Sequence, residues 1–99
     1  MQTHTYLEKL RRQVLPVSQR LRQLAEEAER LEADGHHPIG AGIRAGRPCI
    51  ELAPTPRLAA LAGRGEAAYY MRGRDADGVW RRGTLMGRRV TAFWTERGN

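Results

Sequence analysis

The sequence predicts an α+β fold, in which a long kinked N-terminal helix packs on an antiparallel sheet of about five strands with a short inserted helix. Three observations predict it. The first third carries apolar residues at helical spacing, and the remainder consists of short alternating segments separated by turns that contain Gly or Pro. Five of the six aromatic residues lie after residue 68, so the core must form where the helix meets the C-terminal strands. The 99 residues suffice for a single domain, residues 1–99.

The first element is an amphipathic helix over residues 3–34. Its apolar residues are spaced alternately three and four apart, a heptad pattern that places them on one stripe. The stripe consists of Leu7, Leu10, Val14, Val17, Leu21, Leu24, Ala28 and Leu31. Thr5 and Glu8 have capping-box spacing, and Gly35 ends the helix. Pro16 costs about 3 kcal/mol inside a helix, but the stripe continues through it in register, which favours a kinked helix over two separate helices.

Charge is divided along this helix. Residues 7–22 carry a balance of +4 and residues 23–34 a balance of −4, which opposes the helix macrodipole. An antiparallel partner helix would set each half against its opposite, so the stripe and the charges together favour a homodimer seam or an oppositely charged partner. The alternative is that the stripe packs on the protein's own sheet and the charges form a solvated face. The sequence leaves both open.

Residues 39–52 are predicted to form a β-hairpin with Ala45 and Gly46 as its two loop residues. The resulting pairs are Arg44 with Arg47, Ile43 with Pro48, Ala41 with Ile50, and Ile39 with Leu52. This register gathers the apolar side chains on one face and leaves Gly40, Gly42, Arg44, Arg47, Cys49 and Glu51 on the other. A slip of one residue would destroy that sorting, so the pattern defines the register well.

A short helix follows at residues 56–62. Thr55 can cap it, Pro56 suits its first position, and Gly63 can end it. Leu58 and Leu61 would then face inward.

Residues 66–96 are predicted to form a three-stranded meander. Its strands lie at 67–72, 79–85 and 88–95, and a tight turn at Met86 and Gly87 joins the last two. This arrangement sets Trp80 opposite Phe93 and Val79 opposite Trp94.

The net charge is +6, carried by sixteen arginines and one lysine. A GC-rich coding sequence can account for the preference for Arg over Lys, but it does not account for the net charge. Residues 64–97 concentrate eight of these arginines against four carboxylates. The candidate binding residues are Arg72, Arg74, Arg81, Arg82, Arg88 and Arg89, with the last four expected on facing strands of one hairpin. Such a surface can dock on an acidic protein or can bind nucleic acid, and the alternative is a solvated face without a partner.

The sequence contains no motif for catalysis. It has no phosphate-binding Gly-Lys-Ser/Thr loop, no His-Glu-x-x-His and no supported nucleophile set, so we expect neither an enzyme nor a cofactor. His36 and His37 are adjacent in a turn before Pro38, and we expect both to be exposed rather than bound to metal. No apolar run approaches membrane-spanning length, and the single Cys49 fits the cytoplasm better than secretion.

The Arg- and Ala-rich composition with a heptad helix is similar to that of accessory proteins of phages and mobile elements from GC-rich bacteria. The resemblance implies a small binding protein that acts on a host complex as an inhibitor or adaptor. We therefore expect a non-enzymatic basic protein that docks on a protein partner through its Arg-rich sheet, its helix, or both. The alternative is a nucleic-acid-binding regulator that dimerises through the N-terminal helix.

Overall fold

The computed structural model describes the backbone of residues 2–98 and the side chains of residues 17–98. Helix α1 spans Gln2–Ala33 and helix α2 spans Pro56–Gly63. The five strands are β1 (Pro38–Arg44), β2 (Arg47–Leu52), β3 (Ala67–Asp75), β4 (Gly78–Leu85) and β5 (Thr91–Gly98), and they form one sheet in the order β1-β2-β5-β4-β3. The α+β fold with a five-stranded sheet and a short inserted helix is confirmed. Among the described residues no helix is long and apolar enough to cross a membrane.

One pairing differs from the predicted antiparallel sheet, because β2 and β5 are parallel. The physical reason is the connection through α2. The chain leaves β2, reverses through α2 and enters β3 in the direction of β2, at the far edge of the sheet. Strand β4 then runs antiparallel to β3, and β5 runs antiparallel to β4 and fills the gap beside β2. A connection that contains a helix is the usual way to place two parallel strands in one sheet.

Helix α1 is one continuous element, as the stripe predicts, and Pro16 lies within it. The predicted kink at Pro16 lies outside the residues whose side chains are described. At the other end, Gly35 adopts a positive φ of 88°, and the amide of His36 donates to the carbonyl of Leu31 at 2.9 Å. This left-handed residue ends the helix in the way that a glycine after a helix does.

The core lies between the helices and one face of the sheet, which we call the helix side. Its fully buried side chains include Leu31 from α1, Leu58 from α2, Ile50 and Leu52 from β2, and Trp94 from β5. Leu61, at 9% exposed, extends this cluster under α2. The aromatic residue at the centre therefore comes from the last strand, which confirms that helix and C-terminal segment share one core.

Helix α2 confirms its predicted start, but it includes Gly63, the residue predicted to end it, and the glycine with positive φ after it is Gly65. The side-chain oxygen of Thr55 accepts a hydrogen bond from the amide of Leu58 at 3.3 Å, and Pro56 occupies the first turn. A cap of this kind satisfies a backbone donor that has no partner inside the helix.

The first hairpin has the predicted register for most of its length. Arg44 pairs with Arg47 across a turn in which Ala45 and Gly46 both have positive φ, as a type I′ hairpin turn requires. The prediction was wrong at its open end, where Pro38 rather than Ile39 pairs with Leu52. A bulge between Pro38 and Gly40 absorbs the extra residue, and the side chain of Ile39 is left 62% exposed.

The last hairpin was predicted with the wrong register. Strand β5 begins at Thr91 rather than Arg88, so residues 86–90 form a longer connection than the predicted two-residue turn. Trp80 consequently pairs with Arg97 and not with Phe93, and Val79 pairs with Gly98 and not with Trp94. Val90, in this connection, is 3% exposed and belongs to the core cluster.

Candidate binding surfaces on the sheet

The pairing of β3 with β4 and the alternation of side chains along each strand sort the predicted binding residues onto different surfaces. Arg72 pairs with Arg81 across β3 and β4, whereas Met71 pairs with Arg82. Side chains of paired residues share a face of the sheet and alternate along each strand. Arg72, Arg74 and Arg81 therefore lie on the helix side, and Arg82 lies on the opposite side.

On the helix side, the end of the β3–β4 hairpin forms a cleft of about 550 Å³. We call it the arginine cleft; its lining includes Arg72, Arg74, Val79, Arg81 and Glu96. Helix α1 packs on β1 and β2, and α2 packs on β3, so neither helix extends over this corner of the sheet. Arg72 and Arg74 are exposed, and within residues 17–98 no carboxylate lies within 4.0 Å of either guanidinium.

Arg81 differs from these two arginines because it is already paired. Its guanidinium donates to Oε1 of Glu96 at 3.0 and 3.2 Å and lies 4.0 Å from the ring centroid of Tyr69. The ion pair raises the pKa of Arg81. We had expected Arg81 to be a free binding group, but its charge is balanced by a residue of the same sheet.

Glu96 is the centre of a small polar network. Its Oε2 accepts hydrogen bonds from the hydroxyl of Tyr69 at 2.6 Å and from the indole nitrogen of Trp94 at 2.7 Å. Partial burial disfavours the charged carboxylate, but the hydrogen bonds from Trp94, Tyr69 and Arg81 outweigh it and lower the pKa of Glu96. Desolvation and the bond to this carboxylate raise the pKa of Tyr69. The network fixes the wall of the arginine cleft.

Arg88 and Arg89 do not lie on a strand facing Arg81 and Arg82, as had been predicted. Arg88 bonds Glu27 at 3.2 Å and Asp34 at 2.7 Å, and so connects residues 86–90 to α1. Its hydrogen bond lowers the pKa of Asp34 and raises that of Arg88. Arg89 is exposed in the same connection. Arg88 thus contributes to the packing of the helix, since the side chain of Glu27 is only 4% exposed.

The helix stripe is divided between core and surface. Leu24 and Leu31 are 6% and 0% exposed, whereas Val17 and Leu21 are 44% and 54% exposed. Leu7, Leu10 and Val14 lie outside the residues whose side chains are described. The acidic half of the helix therefore packs on the protein's own sheet, and its seam is not available to an antiparallel second copy.

The two adjacent histidines differ in their exposure to solvent. His37 is exposed as expected, but His36 is 4% exposed, and its Nδ1 has no hydrogen-bond partner. Burial, followed by the nearby charges of Arg57 and Arg88, lowers the pKa of His36. The expectation of an exposed pair was wrong for His36, because the turn that follows α1 places it in a cavity that is also lined by Arg57 and Leu61 of α2 and by Met86 and Arg88. No group of three or more potential metal ligands occurs among the described residues.

The sequence did not single out several residues that shape these surfaces. Arg44 lies over the ring of Phe93, with 5.3 Å between its guanidinium carbon and the ring centroid. Arg97 forms an ion pair with Asp75 at 3.0 Å. The predicted register of the first hairpin already placed Arg44 on its polar face. The parallel pairing of β2 with β5, which was not predicted, brings that face next to Phe93. Comparison with protein-family models, with curated proteins and with solved structures finds no match to this chain.

Proposed function

We propose that this chain is a non-enzymatic binding protein that docks on an acidic protein surface through the arginine cleft. The observation that carries the proposal is the environment of Arg72 and Arg74. Both are exposed at the rim of a 550 Å³ cleft, and no carboxylate of the described residues lies within 4.0 Å of them. Neighbouring Arg81 and Arg97 are by contrast already paired. Two uncompensated arginines beside an apolar Val79 suit a partner that offers carboxylates around an apolar side chain.

A protein partner fits this cleft better than a polyphosphate does. Glu96 lines the cleft, so a string of phosphates would face a carboxylate. A protein segment can place its own carboxylates on Arg72 and Arg74 and still present an uncharged side chain to the floor. Opposite charges of this kind raise the association rate and exclude wrong partners more than they raise affinity.

The exposed half of the helix stripe supports a second contact with the same partner. Val17 and Leu21 remain exposed next to Arg20 and Arg22, so this part of α1 is a basic helix with an apolar strip. Helices of this type bind apolar grooves that have an acidic rim. We therefore include Val17 and Leu21 in the proposed docking surface.

The composition supports a biological setting for this activity. We propose an accessory protein of a phage or mobile element that acts in the cytoplasm of a bacterial host, as an inhibitor or adaptor of a host complex. The similarity of the Arg- and Ala-rich composition to such proteins supports this setting, and the single cysteine fits a reducing compartment.

The test compares wild-type protein with Arg72→Glu/Arg74→Glu in affinity capture from a bacterial lysate, followed by titration of the captured partner. Arg47→Glu/Arg64→Glu is the matched control, because both residues are exposed, lie away from the cleft and give the same change in net charge. We expect wild type and control to retain an acidic protein, and the cleft variant to bind it at least about tenfold more weakly.

Equal binding by the cleft variant and the control would contradict the proposal. The absorbance ratio at 260 and 280 nm of the purified protein provides the other decisive outcome. If wild type carries nucleic acid that the cleft variant loses, the arginine cleft is a nucleic-acid site and the regulator hypothesis replaces this one.

A further inference from the structure

The side of the sheet away from the helices carries a second arrangement of arginine and aromatic groups. We call it the open face and define it by Arg44 on β1, Trp80 and Arg82 on β4, and Phe93 on β5. The core side chains from α1 and α2 all lie on the helix side, so no helix among the described residues covers the open face.

Phe93 shows how this face is built. It is only 5% exposed, although it lies on the side of the sheet without a helix. Two guanidinium groups shield it, since the central carbons of Arg44 and Arg82 lie 5.3 and 5.1 Å from the ring centroid. Cation–π stacking of this kind holds each guanidinium over the sheet. A stacked guanidinium keeps its N–H donors at its edges, where they can bind phosphate oxygens.

Arg82 is held by further contacts. Its Nε donates to the side-chain oxygen of Thr95 at 3.1 Å, and its guanidinium carbon lies 5.5 Å from the ring centroid of Trp80. The indole of Trp80 is half-buried and lies across Gly73, where a Cβ would come within 2.6 Å of the ring. An aromatic ring and a fixed guanidinium thus lie side by side on one surface.

A hollow of about 220 Å³ adjoins Phe93 and Arg44. It exists because Gly40 and Gly42 on the edge strand have no side chains; a Cβ at Gly42 would meet no atom within 4 Å. Glu51 lines the same hollow and can accept hydrogen bonds from amino or hydroxyl groups. The hollow therefore offers space and a hydrogen-bond acceptor next to the guanidinium of Arg44.

We propose that the open face binds single-stranded nucleic acid, with Arg44 and Arg82 on neighbouring phosphates and a base against Trp80. An exposed sheet with cationic and aromatic side chains is a surface on which unpaired bases stack, and a duplex would not present its base faces to it. The charge of the open face agrees with this occupant. Its positive charges, on Arg44, Arg47 and Arg82, outnumber the one negative charge on Glu51, and the charges of Arg97 and Asp75 neutralise each other.

The test is titration of the full-length protein into fluorescein-labelled oligo(dT) and oligo(U) 12-mers, with anisotropy as the readout. The variant Arg44→Gln/Arg82→Gln should weaken binding at least about tenfold. It should also make the dependence of affinity on salt less steep, by about 0.7 in logarithmic slope for each phosphate that is no longer neutralised. Arg72→Gln/Arg74→Gln is the matched control, since it removes the same charge from the helix side and should bind the oligonucleotides nearly as wild type does.

Two further measurements keep the proposal testable if the double variant does not fold. Arg44→Gln alone changes an exposed residue at the end of β1 and should by itself weaken binding. Oligonucleotide binding should also quench the fluorescence of Trp80, while Trp94, which is 0% exposed, should not be reached.

Absence of oligonucleotide binding by the wild type would overturn the proposal. Equal losses of affinity in the Arg44/Arg82 and Arg72/Arg74 variants would also overturn it, because they would show attraction by net charge alone. The two proposals concern opposite sides of the sheet, so the failure of one is distinguishable from the failure of the other.

Discussion

At the scale of single residues, two glycines show how the aromatic core constrains the strands. Trp94 extends its ring across Gly83 on β4, and Trp80 extends its ring across Gly73 on β3. The T-shaped contact of Trp94 with Tyr69, at 5.7 Å between centroids, is reached only because Gly83 carries no side chain between them. Glycine is required at these two positions because a tryptophan ring packs directly on the backbone, and not because the backbone forms a turn.

Gly83→Ala is expected to lower the free energy of unfolding by about 2 kcal/mol. The added Cβ would lie 2.9 Å from Cε2 of Trp94, and that ring is fully buried and cannot move aside. Urea unfolding followed by circular dichroism measures the change. Gly63→Ala is the control, because a Cβ there meets nothing within 4 Å and the residue lies in α2, so it should be neutral or slightly stabilising. An equal drop in stability for both variants would contradict this explanation.

His36 should make stability depend on pH in a defined range. Its pKa is lowered in the folded protein by burial and by Arg57 and Arg88, so below pH 6.5 the unfolded chain takes up a proton that the folded chain resists. The stability that the neutral, buried His36 contributes is therefore fully present above pH 6.5, and it is lost as the pH falls through the pKa of His36 in the folded protein.

The measurement is thermal unfolding of wild type, His36→Gln and His37→Gln between pH 5 and 7.5. We expect the midpoint of wild type and of His37→Gln to fall on acidification, and the midpoint of His36→Gln to change less. The exposed His37 is the matched control in the same turn. A pH dependence in His36→Gln as steep as in wild type would show that other groups cause it.

At the scale of elements, α1 is attached to the sheet by its C-terminal half. Leu24 and Leu31 enter the core, and the buried carboxylate of Glu27 is bonded by Arg88 and Arg30. Asp34, at the end of the helix, bonds the same Arg88. The acidic charges that oppose the macrodipole are thus partly balanced by residues 86–90 rather than by a second copy.

Two leucines of one stripe should therefore behave differently. Leu31→Ala is expected to cost about 3 kcal/mol of unfolding free energy, because its side chain is 0% exposed and its removal leaves a cavity. Leu21→Ala should change stability by less than about 0.5 kcal/mol but should weaken binding of the proposed protein partner. Denaturation of both variants beside wild type checks the first part. A large stability loss from Leu21→Ala would show that the stripe is covered beyond Leu24.

Arg88→Met should destabilise the protein by about 2 kcal/mol, because among residues 17–98 it leaves the buried Glu27 with only the exposed Arg30 as a partner. The double variant Glu27→Met/Arg88→Met should recover much of that loss. Arg64→Met is the control, since its pair with Glu66 is more than half exposed on both sides and should be worth little. Chemical denaturation measures all three, and a neutral Arg88→Met would remove the structural role argued for this residue.

At the scale of the whole molecule, the basic charge is divided over two sides of one sheet. Arg72 and Arg74 lie on the helix side beyond the reach of the helices, and Arg44 and Arg82 lie on the open face. The folded sheet separates groups that the sequence presents as one run of arginines. This separation is what allows two binding proposals to be tested independently.

We expect the protein to be monomeric at micromolar concentration in 0.15 M salt. The acidic half of the stripe is buried against the sheet, so pairing through the helix stripe would have to use residues 7–22, which carry a balance of +4 in each copy. Light scattering coupled to gel filtration should give the mass of one chain. A stable dimer that Leu21→Glu dissociates would contradict this expectation and would restore the homodimer seam.

Much of the fold could be predicted because its signals are local. The stripe from Leu24 to Leu31, the Thr55 cap and the Ala45-Gly46 turn each depend on residues close together in the chain, and each was found in the structure. The candidate site was predicted less well. Of the six arginines, Arg72, Arg74 and Arg81 lie together. Arg82 lies on the other side of the sheet because side chains alternate along a strand, and Arg88 and Arg89 lie in the connection because β5 begins only at Thr91.

The sequence by itself determined the helix, the first turn, the short second helix and the excess of arginine in the last third, since spacing and backbone preference act over a few residues. Only the tertiary structure decided that β5 lies between β2 and β4, parallel to one and antiparallel to the other. That arrangement sets Arg44 over Phe93 and pairs Arg81 with Glu96. Which arginines remain uncompensated depends on strands that are distant in sequence, because charges are neutralised by neighbours in space.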